Sequence, residues 1–240
     1  ETGEDYSLDT ACRTVTDLAS QLIGSSPASG TAVLLFLGDY LHADDDTAQT
    51  PTGKHSLDVD SRHVKVLAQA VDLALALVSM AAHRHRHVVV RFLPGNHDPT
   101  SAGACAVAVR AAYRDDPRVT VDCSPSLFWF YEWGRVLLSG THGHTIKQKE
   151  LPMAIAASVP EMWGRTRFRV AFTGHVHHQS TVEAGGVVCM SFPPLAARDA
   201  YAAGRGLYSL RGLRALIFDR NDGPCGEVAR YLPAATMEAA

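Results

Sequence analysis

The sequence is short of three things, and each shortage removes a class of protein. Its five cysteines (Cys12, Cys105, Cys123, Cys189 and Cys225) are odd in number, widely spaced and nowhere arranged as Cys-x-x-Cys. That argues against a disulfide framework and against a zinc knuckle, and it points to a reducing compartment, the cytoplasm. There is no excess of positive charge: 22 Lys and Arg stand against 25 Asp and Glu, a formal net charge of -3, so no bulk field holds nucleic acid or a membrane surface. The longest strongly apolar stretches, Ala32 to Leu37 and Leu73 to Ala82, fall short of the roughly 20 residues that span a bilayer. No basic segment followed by an apolar one opens the chain, so no secretory signal is visible. What is present is enough apolar material for a sizeable core: 46% of 240 residues, which suits one α/β domain over 1–240.

The order of the elements is legible from hydrophobic spacing. Leu8 to Ile23 returns apolar residues at helical intervals and stops at Gly24-Ser25-Ser26-Pro27. Thr31 to Leu37 is continuously apolar and too short for a helix, the pattern of a central parallel strand buried on both faces. A long polar loop over 40–57 follows, in which Asp44-Asp45-Asp46 reads as a solvated face. Asp58 to Ala82 reads as a long helix ending in His83-Arg84-His85-Arg86-His87, where positive charge suits the helix dipole. Val88 to Leu93 is a second buried strand. Beyond Ser126 the pattern turns to antiparallel pairs, Leu127 to Glu132 with Arg135 to Ser139, then a helix over Glu150 to Ser158, a strand over Phe168 to Phe172, a hairpin about Gly185-Gly186, and closing strands around Asn221-Asp222-Gly223.

Unusual chemistry sits after four of these strands: Gly38-Asp39, Gly95-Asn96-His97-Asp98, Thr141-His142-Gly143-His144 and Gly174-His175-Val176-His177. In an open α/β sheet, ligands gather beyond the carboxyl ends of strands, so these clusters can converge. Each has a plain structural reading by itself. Gly-Asp makes a turn, Asp98 caps a helix, and imidazoles two residues apart share a face of an extended segment. Together, one Asp, one Asn and several His are donors of intermediate hardness, suited to Mn²⁺, Fe²⁺, Zn²⁺, Co²⁺ or Ni²⁺, and they suggest a two-metal hydrolytic centre.

With those residues in place, the sequence resembles the calcineurin-like metallophosphoesterases, and Leu41-His42-Ala43-Asp44-Asp45 and Asp58-Val59-Asp60-Ser61-Arg62 look like phage or prophage members. The resemblance implies an α/β fold, a four-layer α/β/β/α sandwich with mixed sheets, and hydrolysis of phosphodiester or phosphomonoester bonds by metal-activated water, with DNA or RNA among the substrates. It implies two divalent metals, Mn²⁺ favoured: Asp39 bridges them, Asn96, His142 and His175 complete one site, and His177 belongs to the other. His97 becomes the proton donor to the leaving group, oriented by Asp98, while His42 and His144 line the substrate site.

The family's first motif, Asp-x-His on a first strand, has no counterpart before Asp39. The expectation is therefore a chain lacking that strand, with Glu1 to Tyr6 as the loop behind it, one tight metal site and one weak one. A domain of the same fold that binds metal or acts as a scaffold without catalysis is the rival reading. Other features have plainer explanations. The His83 to His87 tract reads as a helix end. Arg165, Arg167 and Arg169 near Trp163 and Phe168 form either a basic patch for single-stranded nucleic acid or the outer side of a strand. His178 neighbours the presumed ligands. Ser191-Phe192-Pro193-Pro194 and Arg198-Asp199-Ala200-Tyr201 suggest a loop over the site that no motif assigns.

Overall fold

The computed structural model describes residues 6–59, 61–198, 206 and 208–233. The loop expected at Glu1 to Asp5, and Asp60, Asp199, Ala200 and Tyr201, lie outside the described residues. The first half alternates helix and strand: α1 (Leu8–Ser25), β1 (Thr31–Phe36), α2 (His63–Arg84), β2 (His87–Phe92), α3 (Ser101–Ala112) and β3 (Val119–Asp122). The three strands form a parallel sheet ordered β1-β2-β3, with Thr31 opposite His87 and Val88 opposite Val119.

The second half gives β4 (Phe128–Trp133), β5 (Val136–Thr141), a 3-10 turn at Gln148–Glu150, α4 (Leu151–Ser158), α5 (Pro160–Arg165), β6 (Phe168–Thr173), β7 (Ser180–Ala184) and β8 (Val187–Ser191). These strands form a mixed sheet ordered β4-β5-β6-β8-β7, in which β5, β6 and β8 run parallel and the two outer strands antiparallel. A hairpin, β9 (Gly212–Asp219) and β10 (Gly223–Tyr231), closes the chain.

The continuous apolar runs are explained by which side each residue faces. Along β1, Leu34 and Phe36 pack with Val88, Val90 and Phe92 against the helices α2 and α3, whereas Val33 and Leu35 join a cluster with Leu138, Val170, Phe172 and Met190 of the five-stranded sheet. Along that second sheet, Leu137, Ala171 and Cys189 turn the other way, onto Leu151 and Ile155 of α4. Strands covered on both faces need no polar alternation. α2 is 22 residues long and apolar enough to cross a bilayer by composition. Its Ala70, Ala74, Val78, Ala81 and Ala82 pack into the first of these clusters.

Two expectations are corrected, and one pair of open readings is narrowed. β1 is not central: it stands at the end of its sheet, pairs among the described residues with β2 alone, and is half-buried throughout, so the apolar run reported covered faces rather than paired edges. The triple aspartate is not merely solvated. Asp46 accepts the N–H of His63 at 2.7 Å and Asp44 accepts the N–H of Ser101 at 2.7 Å, so loop carboxylates cap α2 and α3 from outside their own segments. That is why α2 starts at His63 and not at Asp58; such caps contribute about 1 kcal/mol each. The arginines do not make one basic patch. Arg165 pairs with Glu132 at 2.7 Å, while Arg169 donates to the carbonyls of Trp163 and Thr166 and stacks on the Trp163 ring at 4.1 Å.

Arg91, in the middle strand, has no exposed surface. It lies 3.4 Å from the Asp122 carboxylate and donates to the carbonyls of Ser124 and Ser126, fastening the crossing from the first sheet to the second. Replacing it removes the donors to those carbonyls and leaves a cavity. Arg91→Ala should therefore cost roughly 3–5 kcal/mol in denaturant unfolding. A loss under about 1 kcal/mol would show that the contacts add nothing beyond a surface ion pair.

Candidate metal centre

The clusters lie at the carboxyl ends of β1, β2, β5 and β6, at one end of the two sheets. Close approach of the backbones requires glycine at two points. A Cβ at Gly95 would lie 2.0 Å from Asp39 Oδ1, and one at Gly38, whose φ is +84°, would lie 2.6 Å from His142 Nδ1. No side chain larger than hydrogen fits there without moving those groups.

Asp98 holds the arrangement together. It has no exposed surface, and its carboxylate accepts four backbone N–H groups: those of Asp39 and Gly95 at 3.0 Å each on Oδ1, and those of Tyr40 at 2.8 Å and Leu41 at 3.1 Å on Oδ2. Burial pushes its carboxyl up to about 6, with the Leu41 N–H pulling back and the Asp39 charge adding to the rise. The loops after β1 and β2 are thus tied through one side chain. Its oxygens being occupied in this way, Asp98 does not orient His97. The His97 Nδ1 lies instead 2.8 Å from the His42 carbonyl, and the two rings stack at 5.4 Å.

His142 is the centre of the donor group. Its Nδ1 lies 2.7 Å from the Leu37 carbonyl, and its Nε2 lies 3.0 Å from both Asp39 Oδ2 and Asn96 Oδ1. With Nδ1–H donating to Leu37, a neutral imidazole aims a lone pair at two oxygen lone pairs. Only a cation, either a proton or a metal ion, reconciles the three. Burial pulls the His142 pKa down, but the Asp39 carboxylate beside it outweighs burial and the net shift is upward. Asp39 shows the reciprocal effect: burial raises it, the His142 hydrogen bond and charge lower it, and the net shift is downward.

His175 completes the group. Asp39, His142 and His175 offer ligand atoms that all lie within 4.8 Å of one another, and Asn96 reaches the same point through His142. Two of the three sit in left-handed backbone, Asp39 at φ +52° and His175 at φ +61°, as does His177 at φ +54°. Such strain in non-glycine residues gathers at functional sites. One carboxylate, one amide oxygen and two imidazoles form a donor set of mixed hardness that fits a divalent transition metal.

The remaining site residues separate. His177 is exposed and falls outside the group; its carbonyl accepts the Ser209 hydroxyl at 2.6 Å. His144 lies beside the group, its ring 5.3 Å from His142 and 6.1 Å from His175, with a buried Nδ1 that finds no partner among the described residues. Burial, then the His142 charge, lowers its pKa. His178 turns to the Val176 carbonyl at 2.8 Å. No sequence signal marked the hydroxyl network behind the histidine loop: Ser191 donates to the His178 carbonyl at 2.7 Å and touches Ser180 at 2.8 Å, which donates to Gln148 at 3.0 Å. Serine and glutamine at strand ends have no spacing that distinguishes them from ordinary surface.

No protein-family model matches the sequence, and no curated protein matches it significantly. Two crystal structures of Vps29 from Entamoeba histolytica are similar in structure. A single mutant aligns at 13% identity and a TM-score of 0.37 over 83% of this chain and 98% of its own. The wild type complexed with Zn²⁺ aligns at 12% and 0.34 over 83% and 97%. At these scores the likeness carries no argument about function.

Two predictions follow from the geometry. Asp98→Asn puts amide hydrogens against two of the four N–H groups. It should cost about 2–4 kcal/mol of stability, since each buried donor left unpaired costs about 1–3 kcal/mol; unchanged unfolding would remove Asp98 from its bridging role. For His142 the sign follows from its raised pKa. Its contribution is fully present below the unfolded value of about 6.5 and fades as pH rises through the higher folded value. In metal-free protein, the gap in melting temperature between wild type and His142→Gln should therefore shrink from pH 6 towards pH 9. A gap that widens would reverse the assignment.

Proposed function

We propose that Asp39, Asn96, His142 and His175 hold a divalent transition metal and that the chain is a metal-dependent phosphoesterase acting on phosphodiester or phosphomonoester bonds. The observation that carries this reading is the convergence of Asp39 Oδ2 and Asn96 Oδ1 on His142 Nε2, each at 3.0 Å, with the other imidazole nitrogen held by the Leu37 carbonyl. When bound, the metal would acidify a water and neutralise phosphoryl oxygens. The two oxygens suit Mn²⁺ and the imidazoles Fe²⁺, Zn²⁺, Co²⁺ or Ni²⁺, and Mn²⁺ is the ion favoured by the resemblance to the metallophosphoesterases. The alternation of β1 and the five-stranded sheet into three apolar clusters supports the α/β/β/α layering of the calcineurin-like metallophosphoesterases.

The chain's own residues then divide the work. His97 has its Nδ1 fixed on the His42 carbonyl, which leaves Nε2 to hand a proton to the departing oxygen. Asp98 sets the position of Asp39 by holding its N–H. His144, with its buried and unpartnered Nδ1, and His42, stacked on His97, face the substrate. Asp39 and His177 would offer a second ion a weaker site.

A second reading, a metal-binding or scaffold domain without catalysis, is favoured by one observation: His177 does not join the donor group. Mn²⁺ titration with hydrolysis of bis-(p-nitrophenyl) phosphate decides between them. The expected outcome is one tight Mn²⁺ per chain and a turnover that falls at least about 100-fold in His97→Ala with Mn²⁺ affinity unchanged. Folded, Mn²⁺-loaded protein without turnover selects the scaffold, and failure to bind Mn²⁺ sinks both.

A further inference from the structure

The five-stranded sheet opens into a cleft at the end away from the metal centre. β6 pairs with β5 from Phe168 onward but with β8 only from Val170, so Phe168 and Arg169 have no ladder partner on the β8 side among the described residues. In the gap lies a cavity of about 360 Å³, walled by the start of β6, the β7–β8 turn at Gly185-Gly186 and Pro224 of β10. The histidine loop follows the other end of β6, which runs from Phe168 to Thr173. At about 3.3 Å per residue the cleft and the donor group are roughly 17 Å apart.

Three charged side chains line this cavity: Arg167, Arg169 and Glu183. None of them forms an ion pair among the described residues, whereas Arg91, Arg118, Arg165 and Arg214 each do. Arg169 is held in place without being fully occupied. Its Nη2 donates to the Trp163 and Thr166 carbonyls at 2.8 and 2.6 Å, and the guanidinium stacks on the Trp163 ring at 4.1 Å. Its Nη1 makes no hydrogen bond among the described residues and, unlike Nε, is not buried. Gly186 leaves that side uncovered, since a Cβ built there would lie 3.8 Å from Nη1. A guanidinium already fixed in this way loses little freedom when an acceptor arrives.

Opposite charges that line one cavity without pairing suit a ligand that carries both signs. Carboxylate oxygens match guanidinium N–H donors, while Glu183 attracts an ammonium and repels a phosphate or any other polyanion. Phe168, Val188 and Pro224 add apolar wall for a side chain. The volume lies near the lower end of the range for small-molecule clefts, about 300–1,000 Å³, which admits one or two amino-acid residues. We propose that this cleft binds an α-amino acid zwitterion, free or as a dipeptide, with its carboxylate on Arg167 and Arg169 and its ammonium on Glu183. The proposal is independent of the phosphoester reading of the metal centre.

The test is calorimetric binding of leucine, dileucine, leucinamide, N-acetyl-leucine and inorganic phosphate to protein kept metal-free with EDTA, so that chelation at the donor group does not contribute. Leucine or dileucine should bind at one per chain, the tighter of the two naming the source. Leucinamide, without the carboxylate, and N-acetyl-leucine, without the ammonium, should each bind at least about 10-fold more weakly than leucine, the scale of a hydrogen bond to a charged group. Glu183→Gln should bring leucine down to the level of N-acetyl-leucine. Arg169→Gln and Arg167→Gln should each lower its affinity towards that of leucinamide; Arg167 is exposed and holds no other element, so its variant carries the test if loss of Arg169 unfolds the chain. Binding of neither leucine nor dileucine overturns the proposal. So does equal binding of leucine and its blocked forms, a preference over N-acetyl-leucine that survives Glu183→Gln, or phosphate bound more tightly than either.

Discussion

Asp98 takes four backbone N–H groups from the ends of two strands onto one buried carboxylate, and the rest of the site is built on that tie. Without it, the turn after β1 would have three adjacent N–H groups pointing inward with nothing to accept them. Hydrogen bonds to a charged acceptor contribute about 1.5–3 kcal/mol each, whereas a non-glycine residue in left-handed backbone costs about 1–3 kcal/mol. The tie holds Asp39 in its left-handed backbone through the N–H of that same residue. Once Asp39 is fixed, its side chain has two partners left: the His97 N–H at 2.9 Å and His142 at 3.0 Å. The position of the donor group is thus a consequence of backbone satisfaction at the ends of β1 and β2.

The same logic explains what was readable. Continuous apolar runs at Thr31 to Leu37 and Val88 to Leu93 announced strands covered on both faces, because coverage is a property of the strand's own residues. Edge or central position is a property of neighbours, so β1 was placed wrongly. Glycine beside a polar residue marked each strand end that matters, and Asp39, Asn96, His142 and His175 come together from segments up to 136 positions apart, 175 minus 39. Roles within the cluster were less legible. The pattern Asn-His-Asp cannot say whether Asp98 faces the ring of His97 or the backbone of the neighbouring loop; that depends on how many N–H groups the neighbouring turn leaves unpaired.

Caps show the same limit. A helix start is legible when its capping side chain is adjacent in sequence, as Ser7 is for α1, where its hydroxyl oxygen accepts the Thr10 N–H at 3.3 Å. It is illegible when the carboxylate arrives from a distant loop, as Asp46 does for α2 and Asp44 for α3. These long-range caps also give the 40–57 loop a structural purpose. They fasten both helices that cover the first sheet to the segment carrying His42, so the carbonyl that holds His97 is fixed by the helices' need for N-terminal acceptors.

The tension between one ion and two turns on His177. Its neighbour His175 joins the donor group from a strained backbone, and two residues further on the chain is strained again, yet the side chain of His177 stays exposed. Strain of this size persists only when surrounding contacts over-determine it. Around His177 those contacts are the Ser209 hydroxyl on its own carbonyl and the Ser191 hydroxyl on the carbonyl of His178. The loop is therefore held through two of its carbonyls from the side of β8 and β9.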